Sequence, residues 1–160
     1  MDLLILVALG TQDKPFSRLL DGVKACIENG LIQEKVVVQA GLTPYRYEKM
    51  EIFDLLDKDE FGALLNRADL LITHAGAGSI LSGLKAHKKV IACARRQQYG
   101  EHTNDHQVQI LARFDEEGYL IAAEPETLGE ALEKAKTFVP KPFVSNTKAF
   151  EKVIEEFLHL

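Results

Sequence analysis

Ala68-Asp69-Leu70-Leu71-Ile72-Thr73-His74-Ala75-Gly76-Ala77-Gly78-Ser79-Ile80-Leu81 is the stretch whose reading decides the fold. Leu70-Leu71-Ile72 is an apolar run that reads as a strand, and Ile80, Leu81, Leu84 and Lys85 outline a helix. The small residues from Thr73 to Ser79 form a turn at the junction, where another molecule can approach the backbone. Gly76 and Gly78 remove side chains where a ligand oxygen would sit, and Ser79 is placed to cap the helix and leave its first amides pointing outward. An equally good reading is that the glycines only permit a tight turn and close strand-helix packing, because neither Gly-x-Gly-x-x-Gly nor the Walker pattern is present. Shape alone leaves both open.

Outward from this turn, strand and helix patterns alternate. Leu3 to Leu9 is a continuous apolar run ending at Gly10-Thr11, the composition of a strand covered on both faces. Phe16, Leu19, Leu20, Val23 and Ile27 recur at helical spacing, and Gly30 supplies a stop. Val36-Val37-Val38 is a second strand, and Ile52 to Leu56 reads as a short third. Asp59 is placed to cap a helix carrying Phe61, Leu64 and Leu65. After the glycine turn and its helix, Val90-Ile91-Ala92-Cys93 is a strand and residues 95 to 106 are the longest polar linker. Val108, Ile110, Leu111 and Phe114 outline a helix that Thr103 or Asn104 can cap, Tyr119-Leu120-Ile121 a closing strand, and Leu128, Leu132 and Ala135 a helix begun near Pro125. Pro140 and Pro142 break the chain before a final helix with Phe150, Val153, Ile154, Phe157 and Leu158, so that 143–160 packs on the domain or docks a partner. The alternation predicts an α/β fold, a mostly parallel sheet with helices on both faces. Ligand sites in that architecture lie at the carboxyl ends of the strands, toward which the loops after Leu9, Thr73 and Ala94 should all open.

With 160 residues, 46% of them hydrophobic, the chain suits one domain over 1–160. A formal charge of -5, from 24 acidic against 19 basic residues, argues against a surface that holds nucleic acid or anionic lipid by bulk electrostatics. Cys26 and Cys93 are far apart, in apolar surroundings and outside any CxxC arrangement, which reads as two reduced core thiols and a reducing, cytoplasmic setting. Met1 to Leu9 has no basic leader, a polar turn follows it, and no other run has the length of a bilayer span, so membrane association is expected only through a partner.

The polar residues suggest binding more than catalysis. His74, at the end of a buried strand, can orient the turn, act as an acid or base, or be a neutral core histidine. Glu101-His102-Thr103-Asn104-Asp105-His106-Gln107 is the densest polar cluster and suits a hydroxylated ligand. His102 and His106 stand four apart, as do Glu101 and Asp105, but a loop running into a helix start is a poor frame for a zinc site, so no metal site is assigned. Arg95 and Arg96 can neutralise phosphate or form a solvated turn. Lys88-Lys89 is given no functional role. No Gly-x-Ser-x-Gly elbow is present, and Cys93 lacks an adjacent base.

Val7-Ala8-Leu9-Gly10-Thr11, Gln39-Ala40-Gly41, the Ala68 to Ser79 stretch and Glu101-His102-x-Asn104-Asp105-His106-Gln107 together resemble the carboxyl-terminal donor-binding domain of family 28 glycosyltransferases. The nearest likeness is to small catalytic subunits of two-component UDP-sugar transferases, of the bacterial exopolysaccharide or dolichol-linked chitobiose type. It implies the Rossmann-like nucleotide-binding half of a GT-B enzyme, with a UDP-sugar as donor substrate, no cofactor, and inversion at the sugar. By this resemblance Gly10, Thr11, Gly76, Ala77, Gly78 and Ser79 hold or approach the diphosphate. His102, Asn104, Asp105, His106 and Gln107 match the segment that helps recognise the donor sugar, and Arg95 matches a basic residue often found before it, expected with the helix amides to stabilise the UDP leaving group. His74 or a carboxylate of the partner is the candidate catalytic base. The likeness also implies a membrane-associated, acceptor-binding partner subunit and a lipid-linked sugar acceptor. Ala94 stands where the pattern usually has proline, and Ser82 where many relatives carry an acidic residue suited to ribose hydroxyls. A noncatalytic nucleotide-sugar binding module, a UDP-sugar epimerase-like enzyme and a ligand-free structural protein are the alternatives.

Overall fold

The computed structural model of the chain describes residues 3–10, 14–102, 104–143 and 152. Its elements are β1 (Leu4–Ala8), α1 (Ser17–Glu28), β2 (Lys35–Gln39), β3 (Met50–Phe53), α2 (Lys58–Arg67), β4 (Leu70–His74), α3 (Ala77–Lys85), β5 (Lys89–Cys93), α4 (His106–Glu116), β6 (Ile121–Ala123) and α5 (Leu128–Ala135). Single 3₁₀ turns, Gln97–Tyr99 and Pro125–Thr127, precede α4 and α5.

The six strands form one parallel sheet in the order β3-β2-β1-β4-β5-β6. Every residue of β1 and β4 is buried, because helices cover both faces, and this is why those strands appear as unbroken apolar runs. Alternate side chains feed two separate cores. Leu4, Leu6 and Leu71 pack with Leu65, Ile80, Leu84 and Phe114 from α2, α3 and α4. Ile5, Val7 and Ile72 pack with Leu19, Leu20, Val23 and Leu128 from α1 and α5 on the other side. Cys26 and Cys93 are unbonded and buried in this second core, and burial pushes both thiols up, so neither is a ready thiolate.

Several local features differ from the sequence expectation. β3 begins at Met50 and ends at Phe53, earlier than the 52–56 run, because it is an edge strand in which only Met50 is buried. Asp57, not Asp59, caps α2, its Oδ1 accepting from Glu60 N at 2.8 Å, while Asp59 lies in the first turn, where its charge suits the helix dipole. β6 starts only at Ile121: the Tyr119 amide donates to Phe114 O at 3.1 Å and so completes the end of α4. Gly76 is the N-cap of α3, which places Ser79 inside the first turn rather than at the cap. The N-cap of α4 is Asp105, not Asn104 or Thr103, and Thr103 lies outside the described residues. So does nearly all of the expected final helix, with only Lys152 of residues 144–160 described.

Candidate functional site

The register brings three strand ends together. Ala8 of β1 pairs with Gln39 of β2 on one side and with Thr73 of β4 on the other, so the loops after these strands leave the sheet side by side. The Thr73 hydroxyl reinforces the junction by donating to Ala8 O at 3.0 Å. The chain builds outward from β1 through β2 and β3, then resumes on its other side with β4, β5 and β6, which makes the β1/β4 edge the topological switch point. A cleft of about 460 Å³ opens there. Gly10, His74, Gly76, Gly78, Ser79 and Ser82 line it from β1, β4 and α3, and Gln39, Leu56, Lys58 and Phe61 from β2 and the start of α2.

The three glycines do different jobs. A Cβ on either Gly10 or Gly76 would overlap the His74 imidazole, so these two positions are bare because the ring fills the space. Gly10 also has φ +74, a conformation that other residues rarely adopt. A Cβ on Gly78 would meet nothing within 4 Å. Gly78 thus faces open space at the cleft. The N-terminus of α3 carries no side-chain cap, and its first turn, with Gly78 and Ser79, borders the cleft, the arrangement that favours an anion. Ser82 Oγ donates back to Gly78 O at 2.9 Å.

His74 is only 4% exposed, and its Nδ1 has no hydrogen-bond partner among the described residues. Burial, and secondarily the charge of Arg95, push its pKa down to about 3. The ring is neutral near pH 7, and a base this weak is poorly matched to proton abstraction there. Arg95 occupies a different place from the one expected for a phosphate ligand. Its guanidinium is buried, donating from Nη1 to Lys14 O at 2.6 Å and from Nη2 to Leu9 O at 2.9 Å, over the Phe16 ring. It thus ties Leu9, just after β1, to Lys14, ahead of α1. Thr11 of that loop lies outside the described residues.

The expected sugar-recognition segment sits at the same sheet edge, after β5, and none of its described residues lines the cleft. Asp105 Oδ1 accepts from Gln97 N at 2.9 Å, and His102 Nδ1 accepts from Asn104 N at 3.3 Å. Gln107 is buried, and its Oε1 has no hydrogen-bond partner among the described residues. The side chains of His106 and Ala77 are not described. Arg96 pairs with Glu124. Among the described residues no group of three or more His, Cys, Asp and Glu side chains could hold a metal ion, and no helix is long and apolar enough to cross a membrane.

Gln39, Leu56, Lys58 and Phe61 were not anticipated as cleft residues. Gln39 had a signal in its strand-end position before Ala40-Gly41, and here its Oε1 accepts from Leu56 N at 3.0 Å. The others come from the connection after β3 and the start of α2, which packs over β1.

Comparison with known proteins agrees with this architecture. The chain is 36% identical over 95 residues to the UDP-N-acetylglucosamine transferase subunit ALG13 of Saccharomyces cerevisiae, covering 58% of this chain and 45% of that protein. The Eremothecium gossypii protein of the same name is 29% identical over 120 residues, covering 72% and 57%. This chain thus spans about half the length of the curated relatives it matches. Among solved structures, the NMR structure of ALG13 superposes with a TM-score of 0.65 at 22% identity, covering 99% of this chain and 98% of that one. The UDP-GlcNAc 2-epimerase of Methanocaldococcus jannaschii gives 0.56 at 15%, covering 100% and 46%, and the glycosyltransferase SnogD of Streptomyces nogalater 0.56 at 18%, covering 98% and 39%. At these identities the structural likeness concerns the fold, which is the Rossmann-like half-molecule of GT-B enzymes. The glycosyltransferase family 28 C-terminal domain is matched from residue 4 to residue 158, and the chain belongs to that family.

Proposed function

We propose that this chain binds a UDP-sugar in the switch-point cleft and acts as the donor half of a glycosyltransferase. The observation that carries the reading is the convergence, in one cleft, of the uncapped α3 N-terminus, the unobstructed Gly78 and the buried neutral His74. The diphosphate lies at the α3 amides, where helix polarity stabilises the negative charge that grows on the departing UDP. Leu56 and Phe61 offer apolar surface to the base, and Lys58 a cation at the rim. His74 orients the turn and presents a neutral ring nitrogen to the ligand; the base that activates the acceptor hydroxyl comes from elsewhere. The sugar extends out of the cleft toward the loop after β5, where Asn104, Asp105 and Gln107 recognise it. The acceptor is a lipid-linked sugar brought by a membrane-associated partner, with this chain peripheral to the membrane. Membership of family 28 and similarity to proteins named as UDP-N-acetylglucosamine transferase subunits support the choice of donor.

The likeness to a UDP-GlcNAc 2-epimerase gives a second reading, in which the same site converts a UDP-sugar without an acceptor. Calorimetry of the intact protein with UDP, joined to transfer assays with and without the membrane partner, separates the possibilities. UDP is expected to bind, with affinity at least ~10-fold weaker in Gly78→Val, about 1.4 kcal/mol. Undiminished binding by folded Gly78→Val would remove the phosphate assignment. Epimer formation by this chain alone would favour the second reading, and UDP-sugar binding without transfer under any pairing would leave a noncatalytic module.

A further inference from the structure

Arg18, in the first turn of α1, joins three parts of the chain that are remote in sequence. Its Nε and Nη2 donate to Oε2 and Oε1 of Glu101 at 3.1 and 3.0 Å, a two-pronged grip across 83 residues. Its Nη1 donates to Glu126 at 2.9 and 3.0 Å, and the Tyr99 ring stacks 4.3 Å from its guanidinium carbon. Glu101 is 4% exposed, and its Oε1 also accepts from Arg96 N at 3.0 Å. Nothing in the cleft uses Arg18, and no motif contains it.

An ion pair open to water contributes little to stability, so the exposed Glu126 arm needs no special account. The Glu101 arm is different. A buried carboxylate held by a guanidinium fork and a backbone amide has a single favoured geometry, and loss of one partner leaves a charge in a poorly solvated place. The segment held this way has one short 3₁₀ turn and small local hydrogen bonds, Gln97 N to Asp105 among them. Glu101 ties it to α1 through Arg18, beside the Arg96–Glu124 pair that ties it to the chain after β6. Immediately beyond Glu101 come Asn104, Asp105 and Gln107, the last with a buried acceptor oxygen unpartnered among the described residues.

We propose that Arg18 is a positioning residue for donor-sugar recognition: by gripping Glu101 it fixes the loop that presents Asn104, Asp105 and Gln107 to the sugar hydroxyls. This rests on the UDP-sugar reading above. It predicts an effect on the sugar and not on the nucleotide.

The test compares UDP with UDP-N-acetylglucosamine by calorimetry on the intact protein, for the parent, Arg18→Lys and Glu101→Gln, with amide hydrogen exchange over residues 96–107. Arg18→Lys keeps the charge but loses the fork, and Glu101→Gln keeps the shape but loses the charge. UDP affinity should stay within about twofold while the ratio of UDP-sugar to UDP affinity falls about tenfold, the scale of one charge-assisted contact. The amides of Arg96 and Gln97 should exchange faster. If either folded variant weakens both ligands equally, or alters neither, the proposal is overturned, and Glu101→Gln decides alone should Arg18→Lys fail to fold. A parent protein that binds UDP but not the UDP-sugar overturns it too. A parent that binds neither ligand brings down the UDP-sugar reading itself, and this proposal with it.

Discussion

His74 and its two flanking glycines behave as one unit, and their energetics should be coupled. Gly76 has φ -82 and ψ 133, which any residue adopts, so the obstacle to a side chain there is the imidazole alone. Gly76→Ala is expected to cost about 2–3 kcal/mol through overpacking, and less than about 1 kcal/mol when His74→Ala has vacated the space. Urea denaturation of the four proteins of that cycle measures the coupling, and strict additivity would remove the clearance explanation. The depressed pKa of His74 has its own consequence. Above pH 6.5 the ring is neutral both folded and unfolded, but below it the unfolded chain takes up a proton that the folded ring refuses until about pH 3. Stability from this group is thus complete above 6.5 and declines as pH falls, by about 2 kcal/mol at pH 5. His74→Asn should show a correspondingly flatter stability profile between pH 7.5 and 5 in parallel denaturant titrations. Histidine at a strand end was visible in the sequence; that two glycines exist to house it was not, because only the pairing of β1 with β4 puts Gly10 and Gly76 around one ring.

Helix ends show how far local chemistry can be read before the chain is folded. Gly30, φ +78, stops α1 as its sequence position suggested, with the Leu31 amide reaching Cys26 O and the Gly30 amide reaching Ile27 O. α3 ends in the same double hydrogen bond, Lys88 N to Gly83 O and His87 N to Leu84 O, but the left-handed position is taken by His87 at φ 57. A side chain in that conformation costs about 1 kcal/mol, so His87→Gly should stabilise the protein by roughly that amount, read as a higher thermal midpoint. A lower midpoint would mean that the His87 side chain makes a compensating contact. β3 was the least legible element because its Met-Glu-Ile-Phe run is half exposed and short, and an edge strand needs neither the apolar continuity of β1 nor a strict alternation.

At the scale of the whole molecule, the alternation of strands and helices was legible because burial on both faces forces strands to be apolar throughout. The strand order was not, and the cleft depends on it: Gln39 joins the glycine turn only across the β2-β1-β4 neighbourhood, and Lys58 and Phe61 only through α2 packed over β1. Arg95 shows the opposite case, a motif residue legible in sequence whose buried guanidinium donates to the Leu9 and Lys14 carbonyls, a placement that only the fold reveals. The same strand order has a temporal side. β1 can pair with β2 early, but its other neighbour is β4, and the Leu4 amide waits for the Asp69 carboxylate 65 residues later. Long-range parallel pairing of this kind is slow to form. A nascent chain that has exposed only β1, β2 and β3 therefore has half a sheet with an unpaired apolar edge at β1 and no switch-point cleft, so aggregation is the hazard of that stage.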